Sequence, residues 1–240
     1  MFRKNLKPLF LSLSLFSACS FANLEKGIEL ANFGEFQAAK KEFESLIEQN
    51  YAPGMYHLAE LYAKGLGMPR DQKKALALYQ QAADMQMPEA IFMLGSIYEF
   101  GKGVKPDLKK AFDYYELAAK KNVTAAHFNL GVMYATGQGV SQNYQKSLEH
   151  YHLAAADNLS AAQFNIALMY YEGKGVKENI EMSYVWNMVA AYNGHLDADK
   201  SRKLDQYKMS EAQVKAAKKQ ADGIYQQIID GKYVPPVRFK

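Results

Sequence analysis

The sequence predicts an all-α chain built as an open row of stacked helix pairs, a solenoid, closed at its far end by a capping helix. Three observations predict it. Gly-x-Gly triplets recur every 36 residues, as Gly65/Gly67, Gly101/Gly103, Gly137/Gly139 and Gly173/Gly175. Large and small residues recur in the same columns around them at helical spacing. Four residues after each triplet stands Asp or Asn, as Asp71, Asp107, Asn143 and Asn179, where a first turn needs an acceptor for its unpaired N–H groups. A single unit of this kind cannot bury its own apolar face, so successive units must stack into one continuous core.

The elements follow in chain order. Arg3, Lys4 and Lys7 precede an apolar stretch from Leu9 to Phe16 and small residues through Ala22, which together read as an export signal over residues 1–22. It is too short to span a membrane. Cleavage at Ser20-Phe21-Ala22 would leave Asn23 as the new N-terminus, with the periplasm as destination. The alternative is a lipid anchor on Cys19, since Phe16-Ser17-Ala18-Cys19 resembles a bacterial lipobox. Cys19 is the only cysteine, so the chain has no pair to oxidise. Residues 23–51 read as a degenerate leading unit, in which Phe33-Gly34-Glu35-Phe36 replaces the long loop while Ala39 and Phe43 hold the second-helix columns.

Residues 52–194 carry the full units, with loops at 65–70, 101–106, 137–142 and 173–178. In the first helix of each, Leu58, Leu94, Leu130 and Ile166 are followed by small Ala59, Gly95, Gly131 and Ala167, then by Tyr62, Tyr98, Tyr134 and Tyr170. The large residues share one face, and the small one lets a neighbouring helix approach. The first glycine of each triplet ends that helix in the left-handed conformation. The second helix carries Ala75, Ala111, Ser147 and Ser183, then Tyr79, Tyr115 and Tyr151, then paired alanines; in the last unit the aromatic moves to Trp186. The Asp and Asn column caps these helices at about 1 kcal/mol each. Residues 195–240 read as capping helices and a basic tail. Ser210 and Gln213 make a capping box for a helix to about Asp230, whose Ala212, Ala216, Ile224 and Ile228 would cover the end of the stack. Pro235-Pro236 begins a loose end.

Gly101-Lys102-Gly103-Val104, then Asp107-Leu108-Lys109-Lys110-Ala111, Tyr115, Ala118-Ala119, Ala126, Leu130-Gly131 and Tyr134, resemble the Sel1-like repeat, a relative of the tetratricopeptide repeats with a longer interhelical loop. The resemblance covers about Ala52 to Gly194. It implies a superhelical stack whose first helices line the concave side, and it implies work done by binding proteins.

Enzyme chemistry finds no footing in the sequence. It holds no Ser-x-x-Lys, Gly-x-Ser-x-Gly or His-Glu-x-x-His, and no cysteine beyond the leader. The glycine triplets lack the preceding strand and third glycine of a nucleotide fingerprint. Cysteine-rich Sel1-like proteins have been proposed to act on β-lactams, but this chain lacks their paired cysteines. His150 and His152 lie two apart on a helix, read as solvent-facing and cannot share a metal, while His57 and Glu60 lie three apart and can touch. No cofactor or metal is expected. Charge excludes a nucleic-acid partner: from Asn23 to Asp199 sixteen Lys and Arg face twenty-one Asp and Glu, while Lys200 to Lys240 holds ten against four. That basic tail suits weak contact with an anionic envelope surface.

Columns that vary between units mark the surface a partner would read. Two places after each Leu stand Glu60, Ser96, Val132 and Leu168, and one place after each Tyr stand Ala63, Glu99, Ala135 and Tyr171. The two columns are three apart and form one stripe, polar early and apolar late. Partner contact is therefore expected at Glu60, Ser96, Glu99, Val132, Leu168 and Tyr171. The expected function is a non-catalytic adaptor of the cell envelope holding a protein or peptide. The alternatives are an enzyme-like binder of peptidoglycan or β-lactams, and a secreted factor acting on a host cell.

Overall fold

A computed structural model describes residues 9–235, with side chains from residue 20. Among the described residues there are twelve helices and no strand, and none of those helices is long and apolar enough to cross a membrane. The chain divides into two compact units, Met1–Asp107 and Leu108–Lys240, each built from short helices that pack against their chain neighbours.

The first unit holds α1 (Leu9–Asn32), α2 (Phe36–Glu48), α3 (Ala52–Lys64), α4 (Gln72–Asp84) and α5 (Pro88–Phe100). Ala39, Phe43 and Leu46 of α2 and Leu58 and Leu61 of α3 form a core against which Leu24 and Ile28 of α1 pack. Helix α1 runs unbroken past Ala22, and Ser20 is buried, its hydroxyl donating to Gln49 Oε1 at 2.7 Å. Residues 1–8 and the side chain of Cys19 lie outside the described residues.

The second unit holds α6 (Leu108–Ala119), α7 (Thr124–Thr136), α8 (Tyr144–Ala156), α9 (Ser160–Glu172), α10 (Ile180–Tyr192), α11 (Leu196–Gln206) and α12 (Glu211–Ile229). Its core joins Leu148, Tyr151, Ile166, Met169, Tyr184, Val185, Trp186 and Val189, with Val214, Ala217, Ala221 and Ile228 of α12 laid over it. The capping box of Ser210 and Gln213 is present in full. The face that α12 buries differs from the expected one: Ala212 and Ala216 are exposed and Ile224 is half-buried, while Ile228 is buried as expected. Val214, Ala217, Ala221 and Ile228 advance by three, four and seven residues, so the helix is rotated to seat the larger Val214.

Both punctuation signals of the sequence are realised. Gly65, Gly101, Gly137 and Gly173 close α3, α5, α7 and α9 in the left-handed region, with φ of 72°, 66°, 74° and 67°. Asp71, Asn143 and Asn179 accept from Lys74 N, Lys146 N and Met182 N, each at 3.0 Å. The second glycine of each triplet has a separate cause. A Cβ on Gly139 would lie 2.2 Å from the carbonyl oxygen of Leu108, the first residue of α6, and one on Gly175 would lie 2.7 Å from that of Tyr144, the first residue of α8. The loop there crosses the start of the preceding second helix with no room for a side chain. A further column joins the pairs: Asn50, Gln86, Asn122 and Asn158 hold φ of 55°, 66°, 61° and 63°, and Gly194 continues it at 78°.

The histidines correct one expectation. His152 is fully buried instead of solvent-facing, its Nδ1 2.8 Å from Tyr233 Oη and its ring edge-on to Trp186 at 5.1 Å. The chain after α12 returns over it, which the helical columns alone did not reveal. His150 is half-buried, sharing a hydrogen bond of 3.0 Å with His127 Nδ1 and stacking on Tyr134 at 5.6 Å. Burial pushes the pKa of His150 and that of His152 down to about 4. From Pro236 onward the expected loose end lies outside the described residues.

Candidate functional site

Stable helices place the varying columns, so the six expected contact residues can be followed unit by unit. In the first unit Glu60 lies half-buried on α3. It accepts from His57 Nδ1 at 3.0 Å and from Lys64 Nζ at 3.1 Å. These contacts, the one from His57 foremost, hold its carboxyl below the usual range against the opposing effect of burial. Glu60 also lines a cavity of about 200 Å³ with Phe36, Phe43 and Leu66. Ser96 on α5 accepts from Lys102 Nζ at 3.2 Å, and Glu99 is half-buried one turn further along the same helix.

In the second unit Val132 on α7 packs against the core, so its contribution is largely to packing. Leu168 and Tyr171 on α9 behave differently. They line a cavity of about 250 Å³ whose floor is Ser183 and Asn187 of α10 and whose opposite wall is Ser201, Leu204 and Asp205 of α11. The expected pair on α9 is thus brought together, and a third helix closes it. Two of the apolar lining residues remain in water: Tyr171 is 42% exposed and Leu204 65%. Lys208 Nζ donates to Tyr171 Oη at 2.8 Å and lies 4.5 Å from the ring centroid.

The floor of this cavity is polar. Asp205 is only 2% exposed, and its Oδ2 accepts from Ser183 Oγ and from Asn187 Nδ2, each at 2.9 Å. Burial raises its pKa, against the two hydrogen bonds and the pull of Lys208. Asn187 Oδ1 is sealed from water with no donor. Sequence reasoning missed Ser183, Asn187 and Asp205 as site residues. The signal existed: carried past Gly194, the 36-residue interval makes α11 the first helix of a further unit, with Leu204 in the column of Leu168 and Tyr207 in that of Tyr171.

Elsewhere on this unit, Lys215, Lys218 and Lys219 of α12 line an open depression together with Glu211 and Asp222. Those two carboxylates dilute the basic character expected of the tail. Among the described residues no three His, Cys, Asp or Glu side chains converge as metal ligands.

The Sel1 repeat model matches residues 52–87, 88–123, 124–159 and 160–195, each span opening at the start of a first helix. Two solved structures are similar. One is a protective antigen present in uropathogenic Escherichia coli strains that displays an SLR fold, 30% identical with a TM-score of 0.77 over 89% of this chain and 46% of that one. The chain thus spans less than half the length of that relative. The other is a Sel1 repeat protein from Oxalobacter formigenes, 22% identical with a TM-score of 0.71, covering 85% of this chain and 87% of its own. No curated protein matches the sequence.

Proposed function

Since the chain belongs to the Sel1 repeat family, whose repeats commonly mediate protein–protein interaction, we propose that it is an exported, non-catalytic adaptor that holds a protein or peptide segment in the bacterial cell envelope. The observation that carries this reading is the cavity of Leu168, Tyr171 and Leu204. Its apolar walls, Tyr171 and Leu204, stand open to water, and an exposed apolar patch with a polar rim is the mark of a docking surface. In this reading Glu60, Ser96 and Glu99 supply polar contacts along α3 and α5, and the lysines of α12 add weak attraction to an anionic surface. The periplasm is the proposed location, supported by the leader-like residues before Asn23.

The test has two parts. N-terminal sequencing of the protein from fractionated cells is expected to read from Asn23 in the periplasm; an intact Met1 in the cytosol would overturn export, and a lipid-modified Cys19 would replace free residence with anchoring. Capture from envelope extract by the mature chain is expected to be lost in Leu168→Ala/Tyr171→Ala. Capture unchanged by both substitutions would remove the cavity from the adaptor reading.

A further inference from the structure

We infer that the cavity between α9, α10 and α11 receives a single basic side chain, lysine or arginine, carried on an apolar segment of the partner. This deepens the adaptor reading above and rests on it.

The argument begins with two columns that change identity at this one place. The second helices carry a buried tyrosine, Tyr79, Tyr115 and Tyr151, at 36-residue intervals, and Asn187 stands at the next interval. The first helices carry a buried apolar residue, Leu61, Ile97, Met133 and Met169, and Asp205 stands at the next interval. Each replacement alone would put an unsatisfied polar group into the core, at a cost of roughly 1–3 kcal/mol or more. Together they face each other: Asn187 donates to Asp205 at 2.9 Å. Exchanging a tyrosine for an asparagine also removes the ring from this position, the unit's aromatic standing one place earlier at Trp186, and a cavity of about 250 Å³ lies beside the asparagine. That is below the roughly 300–1,000 Å³ of small-molecule pockets, and suits one side chain.

The floor offers acceptors that nothing in the chain satisfies. Among the described residues both donors to Asp205 reach the same oxygen, Oδ2, and none reaches Oδ1. Asn187 Oδ1 has no donor either. The neighbouring cations are committed elsewhere. Arg202 Nε bonds Asp199 at 2.8 Å, Lys203 bonds the same carboxylate at 2.7 Å, and Lys208 is held by Tyr171 at the rim. Lys208 acts on Asp205 only through its field; a buried carboxylate with no cation in contact is costly, and an incoming ammonium or guanidinium supplies the charge and the donors together. Leu168, Leu204 and the ring of Tyr171 would flank its aliphatic stem.

The test titrates the mature chain with the capped tripeptides acetyl-Leu-Lys-Leu-amide, its arginine form and its norleucine form, following the Asn187 side-chain amide by NMR. Lysine and arginine peptides are expected to shift that signal saturably, with norleucine weaker by about tenfold or more. Asp205→Asn should erase that preference while leaving the free protein no less stable, because the amide oxygen still accepts from Ser183 and Asn187. Lys208→Ala should tighten the lysine peptide several-fold by removing the rim cation, and it decides the matter should Asp205→Asn fail to fold. Equal binding of norleucine, indifference to Asp205→Asn and Lys208→Ala, or silence at Asn187 with every peptide would each overturn the inference. Failure here, with capture still dependent on Leu168 and Tyr171, leaves the adaptor reading intact. Capture independent of those two residues fells the adaptor reading by a separate route.

Discussion

Gln86 occupies a left-handed position, φ 66°, that Asn fills at the three equivalent junctions. A residue with a Cβ pays about 1–2 kcal/mol there, which Gly avoids and Asn reduces by local hydrogen bonding of its short side chain. Gln86→Gly is therefore expected to stabilise the protein by about 0.5–1 kcal/mol in urea unfolding, a gain not expected at the asparagines. His152 and His150 both contribute to the response to acid, and His152 is the more deeply buried of the two. Burial holds its folded pKa down at about 4 while the unfolded chain takes its proton near the ordinary value of 6.5, so the unfolded state binds more protons between the two. Stability is complete above about pH 6.5 and is lost as pH falls toward about 4, by about 3 kcal/mol from this residue. His152→Gln should flatten the slope of unfolding free energy against pH in that window, whatever it does at neutral pH. The first glycine of each triplet and the capping Asp71, Asn143 and Asn179 were legible in the sequence because their causes are local, one backbone angle or one side-chain acceptor. Asn187 and Asp205 were not, because each makes sense only against the other, across helices 18 residues apart in chain.

At the scale of the element, the two glycines of a triplet do different work, and the difference can be measured. Gly139→Ala forces a Cβ to 2.2 Å from a backbone oxygen, whereas at Gly137 the nearest atom would be 3.5 Å away. Both pay for a left-handed angle, but Gly139→Ala should cost about 2 kcal/mol more in the urea midpoint series, since the backbone of α6 must move. The register of α12 yields a second contrast. Val214→Asp buries a charge against the core and should cost about 3 kcal/mol or more, while Ala212→Asp, on the exposed face, should lie within about 0.5 kcal/mol of the parent. Calorimetry on the pair separates the observed face from the one the sequence suggested. That face was misjudged because alanine is neutral about burial: the run from Ala212 to Ala221 offers two plausible alanine stripes, and only contact with α10 selects one. Helix α11 escaped for a related reason. Arg202 stands where earlier units have Leu or Ile, and its low apolar content masks a first helix that the interval still places.

Across the whole molecule, the repeat made the fold class readable in advance, because every unit repeats the evidence of the last. The proposed binding site is built from departures from the repeat, and a departure has no second copy to confirm it. Hence the columns of Glu60 and Tyr171 could be drawn from the sequence, but the cavity beside Leu168 and Tyr171 required α10 and α11 to be seen together. The last described residues add something practical. The protein's sole tryptophan, Trp186, is sealed in the interior with Tyr233 edge-on to it at 5.8 Å. Its indole is thus a built-in optical gauge of whether the end of the chain is seated: water reaching the ring as Tyr233 lifts away would redden its emission, so a fluorometer alone can follow that undocking without any label.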